Sequence, residues 1–307
     1  YQSLFMEIKQ KIKLGIIGVS DGNGHPYSWS SIFNGYDKNL METCPYSSIP
    51  NYLAKYSFPD DSIKEAEVTH IWTQNKSDSI KIANTTYIKN IVSDYKDMIG
   101  KVDGILLARD DYENHLELSK EFLKLGIPIY IDKSLATTIK TANKLFEKET
   151  YGGQIFTGSA LAYDPKLETI KKEMKNLGKL KYIFGTAPGS WDKYSIHLVD
   201  PVLYLLNDYF IVDSYQLIRE DKYCCLKGIN SEGALFTLQC LGGLESPLRL
   251  TLIFDNGFRE INFHDDPFLA FRAALHKFTK NIKNKKILRS KESIINAIKL
   301  ISLGIDV

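Results

Sequence analysis

The sequence has only four cysteines, and their spacing does not support a disulfide framework or a thiolate metal site. No two of them are separated by two residues, the spacing typical of Cys-x-x-Cys zinc and redox motifs. Cys224 and Cys225 are adjacent, so on a strand their side chains would point to opposite faces and could not easily share one metal ion. We therefore expect no metal site, and we expect reduced cysteines in a reducing compartment, the cytoplasm.

The sequence also lacks a strong excess of charge and a long apolar run. It has 39 Lys and Arg against 37 Asp and Glu, a net charge of +2, which gives no electrostatic footprint for nucleic acid. The basic stretch 277–291 is expected to be a solvated helix end and loop. No apolar run reaches the roughly 20 residues of a membrane-spanning helix, so no membrane partner is expected.

Short apolar runs alternate with helical periodicity in the first half of the chain. Between two of these runs, Leu118, Phe122 and Leu125 recur at helical spacing, and Gly126 follows where a helix would end. Strands joined by helical crossovers form a mostly parallel sheet. The predicted strands are 13–19, 68–73, 102–108, 127–131 and 155–158.

The segment between the first two predicted strands, Ser20 to Glu67, is much longer than an ordinary crossover. It contains a short helix candidate, Ser28 to Asn34, and then a turn-rich stretch with three prolines. We interpret residues 35–66 as an insertion that folds over the mouth of a binding site.

The pattern changes in the second half, where strands are grouped and separated by turn residues. A tip at Asp255-Asn256-Gly257 is a hairpin signal, and two amphipathic helices close the chain. This grouping predicts a second, α+β domain with an open, largely antiparallel sheet. We expect one domain over 6–158 and another over 159–307. The predicted strands are 181–186, 215–219, 223–229, 234–240, 248–254 and 259–263.

A glycine-containing loop follows the first strand, as in dinucleotide-binding proteins. Glycines there allow a tight turn and close approach to a pyrophosphate. A strict Gly-x-Gly-x-x-Gly is absent, because Ser20 stands at the second glycine position, and a plain glycine turn is the alternative. The cofactor-binding candidates in this loop are Gly18, Ser20, Gly22, Asn23, Gly24 and His25.

The tip of the second strand lacks the acidic residue that usually reads a ribose. It carries Thr73 and Gln74, whose polar groups suit ribose hydroxyls, followed by Lys76 and Ser77, which would tolerate a 2′-phosphate. The choice between NAD and NADP therefore stays open.

Three motifs resemble one known family. Residues 126–136, GIPIYIDKSLA, resemble the "G-hydrophobic-EKP-L-A" signature of the Gfo/Idh/MocA oxidoreductases. Residues 108–111 with His115-Leu116-Glu117 resemble the family's post-strand loop and H-x-E element, and His197-Leu198-Val199-Asp200 resembles its H-x-x-D. Order and spacing agree from Ile12 to about Ile305.

The resemblance implies a Rossmann-type doubly wound domain followed by a domain with an open sheet. It implies NAD or NADP as cofactor, and hydride transfer to or from a hydroxyl carbon of a sugar, cyclitol or nucleotide sugar. It also implies a homo-oligomer formed through the C-terminal sheet. Further cofactor-binding candidates are Ala108, Arg109, Asp110, His115 and Asp132.

The resemblance matches Lys133 and His197 to the family's catalytic residues, and the chemistry suits both. Alcohol oxidation needs a base for the hydroxyl proton, as a histidine provides, and a lysine stabilises the developing alkoxide. The substrate-binding candidates are Lys133, Trp191, Lys193, His197 and Asp200.

Several positions depart from the family pattern. Four residues before the histidine the family usually has an acidic residue, and this sequence has Lys193. Asp132 and Ser134 stand in place of Glu and Pro in the EKP signature. Tyr194 is a substitute candidate for proton transfer, so Tyr194 and His197 stay as alternatives. The tract Asn23 to Trp29 suggests a divergent branch. The alternative functions are a non-catalytic dinucleotide- or sugar-binding sensor or regulatory protein, and a redox-assisted lyase or glycosidase.

Overall fold

The computed structural model describes residues 10–264 and 266–305. The first four residues of the predicted domain 6–158 lie outside this range. Among the described residues, no helix is long and apolar enough to span a membrane.

The first half of the chain forms a sheet of six parallel strands in the order β3-β2-β1-β4-β5-β6. Alternate side chains enter different cores on its two faces, Leu106 on one and Ile105 and Leu107 on the other, as expected for a sheet covered by helices on both sides. The predicted parallel Rossmann-type sheet is confirmed, and the two-residue strand β3 was not predicted. The strands are β1 Ile12–Ile17, β2 Ala66–Trp72, β3 Asn90–Ile91, β4 Gly104–Leu107, β5 Ile129–Ile131 and β6 Ile155–Thr157.

The crossovers of this half contain six α-helices. The first begins at His25, three residues before the predicted start, because Pro26 is tolerated in the first helical turn, where its missing N–H costs nothing. The helices are α1 His25–Asn34, α2 Lys38–Met41, α3 Ser48–Leu53, α4 Lys76–Thr86, α5 His115–Lys124 and α6 Ile139–Phe146. Short 3₁₀ helices lie at Tyr95–Met98, Tyr112–Asn114, Ala160–Tyr163 and Met174–Asn176.

The segment 35–66 contains α2 and α3 and packs onto α1. Met41, Ile49 and Leu53 share a core with Trp29 and the first sheet. The contact with the glycine loop is close, since a Cβ on Gly24 would lie 2.5 Å from Ile49 Cδ1 and from Tyr46 Cδ2. This segment therefore lies against the start of α1.

The second half contains a sheet of six strands in the order β12-β11-β7-β10-β9-β8. Only the β7–β10 pair is parallel, so the predicted largely antiparallel sheet is confirmed. The strands are β7 Leu180–Ala187, β8 Val212–Glu220, β9 Tyr223–Asn230, β10 Leu235–Leu241, β11 Arg249–Phe254 and β12 Gly257–Asn262.

Five α-helices follow the first domain. α9 covers one face of the second sheet through Leu198 and Val202. α10 instead packs against the first sheet, where Phe278 contacts Tyr130 and Phe156. The boundary at residue 158 stays a prediction, and the core that surrounds the first sheet includes this later helix. The helices are α7 Pro165–Glu173, α8 Trp191–Tyr194, α9 Ile196–Leu205, α10 Pro267–Asn284 and α11 Lys291–Ser302.

Candidate active site

A cavity of about 530 Å³ opens at the carboxyl edge of the parallel sheet. Its wall combines the start of α1, the segment 35–66, the ends of β4 and β5, and residues of the second half. Polar side chains from both halves line it, among them His25, Asp110, Lys133, Tyr194 and His197. The structure thus brings Lys133 and His197, which are 64 positions apart in the sequence, to one cavity.

Lys133 follows β5 and is held by a carboxylate. Its Nζ donates to Asp110 Oδ2 at 3.1 Å, and both side chains are more than nine-tenths buried. Ser20 Oγ donates to Asp110 Oδ1 at 2.7 Å, which ties the glycine loop to the same carboxylate. The ammonium also lies 5.6 Å from the centre of the Tyr194 ring. Asp110, expected to contact cofactor, therefore positions Lys133.

Asp132 directly follows the same strand and pairs with His25. Its Oδ2 lies 2.5 Å from His25 Nδ1 and accepts from Asn23 Nδ2 at 2.8 Å, while Oδ1 accepts from the Lys133 N–H at 2.8 Å. Burial raises the pKa of Asp132, but His25 and the other neighbours outweigh it and hold that pKa well below its usual range. Asp132 is therefore an anion, and the predicted cofactor contacts Asn23, His25 and Asp132 bond to one another.

His197 lies in the first turn of α9, with its Nδ1 2.7 Å from Ser159 Oγ. Burial lowers its pKa well below the usual value, and the positive charge of Lys133 lowers it further. The imidazole is therefore neutral at pH 7. The Tyr194 ring lies edge-on to it, with 5.7 Å between ring centres.

Asp200, expected to contact substrate, is instead bonded within the protein. It accepts two hydrogen bonds from Arg289, at 2.9 and 2.7 Å, and one from the Ser159 N–H at 2.7 Å. Since Ser159 in turn contacts His197, Asp200 helps to position that imidazole. A Cβ on Gly158 would lie 2.5 Å from Asp200 Oδ2, so the glycine is needed here.

The sequence did not identify Ser159 or Arg289. Arg289 lies in the stretch expected to be solvated, yet only 11% of its side chain is exposed. That expectation is wrong at this residue, because the buried Asp200 carboxylate requires a cation. Ser159 lies two residues after β6 and is the N-cap of a 3₁₀ helix, a position that the sequence pattern alone could have flagged.

Three other expected contacts lie outside the lining of this cavity. Trp191 is buried, and its Nε1 donates to Ile301 O at 2.7 Å. His115 is buried, with its Nε2 2.7 Å from the carbonyl oxygen of Arg109 and its Nδ1 3.0 Å from that of Leu135. Lys193 is half-buried on α8, also away from this lining. The first two are held by packing and backbone contacts.

Gln74 crosses the edge of the sheet to the glycine loop. Its Nε2 donates to Val19 O at 2.7 Å, and its Oε1 accepts from the Val19 N–H at 3.2 Å and from Arg109 Nη1 at 2.9 Å. Thr73 Oγ1 donates to Asn75 O, and the Ala108 N–H donates to Ile17 O, so these two residues shape the backbone. The expected contacts Thr73, Gln74, Ala108 and Arg109 therefore order the loop.

The tip of the glycine loop retains room and donors for an anionic group. Gly22 has a φ of 72°, and a Cβ built there would have no atom within 4 Å. Within the described part of the chain, the N–H groups of Asp21 and Gly22 donate to no protein acceptor. Unpaired N–H groups beside a helix start suit a pyrophosphate. Gly18 supports the turn, since a Cβ there would collide with Pro26. These residues fit a dinucleotide.

Comparisons with known proteins agree with this geometry. Residues 50–158 match the family model GFO_IDH_MocA, described as oxidoreductase family, NAD-binding Rossmann fold. No curated protein sequence matches the chain.

Solved structures share the fold over almost the whole length at low identity. Scyllo-inositol dehydrogenase from Lactobacillus casei has a TM-score of 0.74 at 12% identity, with 96% of each chain covered. Myo-inositol 2-dehydrogenase from Lactobacillus plantarum has a TM-score of 0.73 at 14% identity, with 95% of each chain covered. The Lactobacillus casei enzyme with bound NAD(H) and scyllo-inositol has a TM-score of 0.69 at 12% identity, with 95% of each chain covered. The family match and the shared fold confirm the predicted resemblance to the Gfo/Idh/MocA oxidoreductases, and residues 50–158 are the part of the chain that matches their NAD-binding Rossmann domain.

Proposed function

We propose that the protein is an NAD(P)-dependent oxidoreductase that transfers a hydride to or from a hydroxyl carbon of a sugar, cyclitol or nucleotide sugar. The observation that carries the proposal is the meeting of the Lys133 ammonium and the His197 imidazole in one cavity beside the glycine loop. The fold shared with enzymes named for inositols supports a polyol substrate.

Each side chain has a role in this proposal. Lys133 donates to the reacting oxygen and stabilises negative charge that develops there. The neutral His197 hydrogen-bonds the substrate hydroxyls, and Tyr194 lies against both groups. Gly22 and the start of α1 would hold the pyrophosphate of the dinucleotide. The nicotinamide of the bound dinucleotide would accept or donate the hydride.

A thermal-shift assay and a spectrophotometric assay test the proposal together. We expect NAD(H) or NADP(H) at millimolar concentration to raise the melting temperature, because ligand that binds only the folded state stabilises it. Turnover is then followed at 340 nm with myo-inositol, scyllo-inositol and a panel of sugars.

Lys133→Ala is the informative variant in these assays. We expect it to retain the thermal shift and to lose roughly 10²- to 10³-fold in kcat, since one charge-stabilising donor is removed from the reacting oxygen. Lys193→Ala, which removes a lysine outside the cavity lining, is the matched control and should retain turnover. Absence of a thermal shift with either dinucleotide would remove the proposal.

A second candidate is a non-catalytic dinucleotide- or sugar-binding sensor of the same fold. It is favoured by Ser20, which stands where a second glycine would be and bonds Asp110, and by Gln74, which bonds both backbone groups of Val19. A thermal shift with a dinucleotide, without absorbance change on any polyol, would support this candidate.

The proposal includes the cytoplasm as location and two domains divided at residue 158. Free thiols at all four cysteines support a reducing compartment. Assembly of copies of the chain through the second sheet belongs to the same proposal.

A further inference from the structure

We propose that His25 and Asp132 form an acid–base pair of the active site, in which His25 Nε2 exchanges the hydroxyl proton of the substrate. Asp132 is the positioning residue of this pair. The inference rests on the proposed function and adds the proton-transfer group to it. The sequence made His25 one of the cofactor-binding candidates of the glycine loop, and the structure places its ring in the wall of the cavity.

The contacts fix the orientation of the imidazole. His25 Nδ1 lies 2.5 Å from Asp132 Oδ2, so this nitrogen is committed to the carboxylate. The ring stacks on Trp29, with 5.0 Å between centres, and meets Phe271 edge-on at 5.1 Å. Within the described residues Nε2 has no protein partner, and 17% of the side chain is exposed. Nε2 is therefore the nitrogen left for a ligand.

The carboxylate behind the ring fixes its orientation and tautomer. Asp132 is 2% exposed and anionic, and it also accepts from Asn23 and from the Lys133 N–H, so its position is fixed on three sides. A buried carboxylate bonded to Nδ1 holds the tautomer and stabilises the imidazolium that forms at Nε2, as in the serine-protease triad. His25 has this arrangement.

His197 has a different environment. Its Nδ1 faces the Ser159 hydroxyl, which is neutral, and burial together with the charge of Lys133 disfavours its protonated form. A ring whose protonated form is disfavoured is a poor proton acceptor. His197 is therefore suited to neutral hydrogen bonding, and His25 to proton transfer.

The surrounding groups are consistent with this division. Asp132 bonds to His25. The other charged or titratable groups that line the cavity with His25 are Asp110 after β4, Lys133 after β5, Tyr194 on α8, His197 on α9, His264 after β12, and Tyr46, Tyr52 and Lys55 of the segment 35–66. α10 contributes the apolar Phe271. His25 and Lys133 line the same cavity, so one substrate bound there can contact both.

The step balances with the dinucleotide of the proposed function. In the oxidation direction the hydroxyl proton passes to His25 Nε2, and the electron pair of the O–H bond becomes the second bond of the carbonyl. The C–H bond breaks, and its hydride leaves to the oxidised nicotinamide. The carbon is oxidised and the nicotinamide reduced, and in the reverse direction His25 returns the proton.

Nitrogen-15 NMR of histidine-labelled protein tests the orientation without substrate. We expect neutral His25 to carry its proton on Nδ1 in the wild type, and the signal is assigned by its loss in His25→Gln. In Asp132→Asn the preference for that tautomer should weaken. A wild-type proton on Nε2 would overturn the proposed arrangement.

Kinetics test the role. With NAD(P) and the best substrate of the polyol panel, His25→Gln and Asp132→Asn should lose about 10²- to 10⁴-fold in kcat, with KM changed only a few-fold. One ionisation should disappear from the pH profile of kcat/KM. Melting temperatures show whether each variant folds. His25→Gln keeps a side-chain N–H that can donate to Asp132, so this variant keeps the test decisive if Asp132→Asn does not fold.

His276→Gln is the matched control, because His276 also pairs with a carboxylate, Glu65 at 2.7 Å, outside the cavity lining. It should keep wild-type kcat. Wild-type turnover that survives His25→Gln overturns the acid–base pair alone. A wild type without turnover on any polyol overturns the proposed function, and the role of His25 with it, even where the NMR orientation holds.

Discussion

At the scale of single residues, two of the histidines that line the cavity have different environments. His197 is kept neutral by burial and by the nearby Lys133 ammonium, whereas His25 lies against a buried carboxylate. Asp200 and Arg289 form a bidentate pair that supports Ser159 and, through it, His197. The H-x-x-D pattern predicted the location of the histidine, but the partner of its aspartate lies 89 positions further on.

The lowered pKa of His197 predicts a pH effect on stability. The unfolded chain has an ordinary histidine pKa of about 6.5. Between that value and the lower folded pKa, the unfolded state binds more protons, so the free energy of unfolding decreases as pH falls below about 6.5.

We expect His197→Gln to weaken this decrease between about pH 6.5 and pH 5, which urea unfolding at a series of pH values measures. His70 and His276 also have lowered pKa values, so the difference between variant and wild type isolates His197. If the free energy of unfolding changed with pH equally in the variant and the wild type, the lowered pKa of His197 would be contradicted.

At the scale of elements, the long segment after α1 builds one wall of the cavity. It contributes Tyr46, Asn51, Tyr52 and Lys55 to the lining. Its length and prolines predicted an insertion over the mouth of a site, and the two short helices and their core contacts give that insertion a fixed position. The contact at Gly24 couples it to the loop that fits the dinucleotide.

Gly24→Ala tests this coupling. A Cβ there would lie 2.5 Å from Ile49 Cδ1 and Tyr46 Cδ2, and such overpacking costs about 1–3 kcal/mol. We expect that loss in the free energy of unfolding by urea, together with weaker dinucleotide binding. Gly243→Ala, where no atom lies within 4 Å, is the control. Equal stability of the two variants would contradict the prediction, because it would show that Tyr46 and Ile49 move aside without cost.

At the scale of the whole molecule, both halves of the chain share the active-site region and part of their cores. α10 packs on the first sheet, and α11 contributes Ile298 to one core and Ile301 to another. The second sheet keeps one face open. By strand register, the exposed apolar side chains on that face are Ile218, Ile229, Leu235, Ile253 and Phe258.

We expect copies of the chain to associate through this face, since a contiguous apolar surface is normally covered by a partner. Light scattering after size-exclusion chromatography should give an oligomer for the wild type and a smaller species for Ile253→Lys with Phe258→Asp. Leu125→Asp, at a leucine 59% exposed elsewhere, should leave the mass unchanged. A monomeric wild type at tens of micromolar would contradict the prediction.

The sequence by itself determined the alternation of strands and helices, the two kinds of sheet, the glycine loop, and the family resemblance through Lys133 and His197. These are local signals, because periodicity, turn residues and motifs are encoded within short stretches of chain. Only the tertiary structure decided which side chains bond to which. The pairs His25–Asp132, Lys133–Asp110 and Asp200–Arg289 join residues 23 to 107 positions apart. They form because a buried charged group needs a hydrogen-bond donor or an opposite charge, and the fold selects the one within reach.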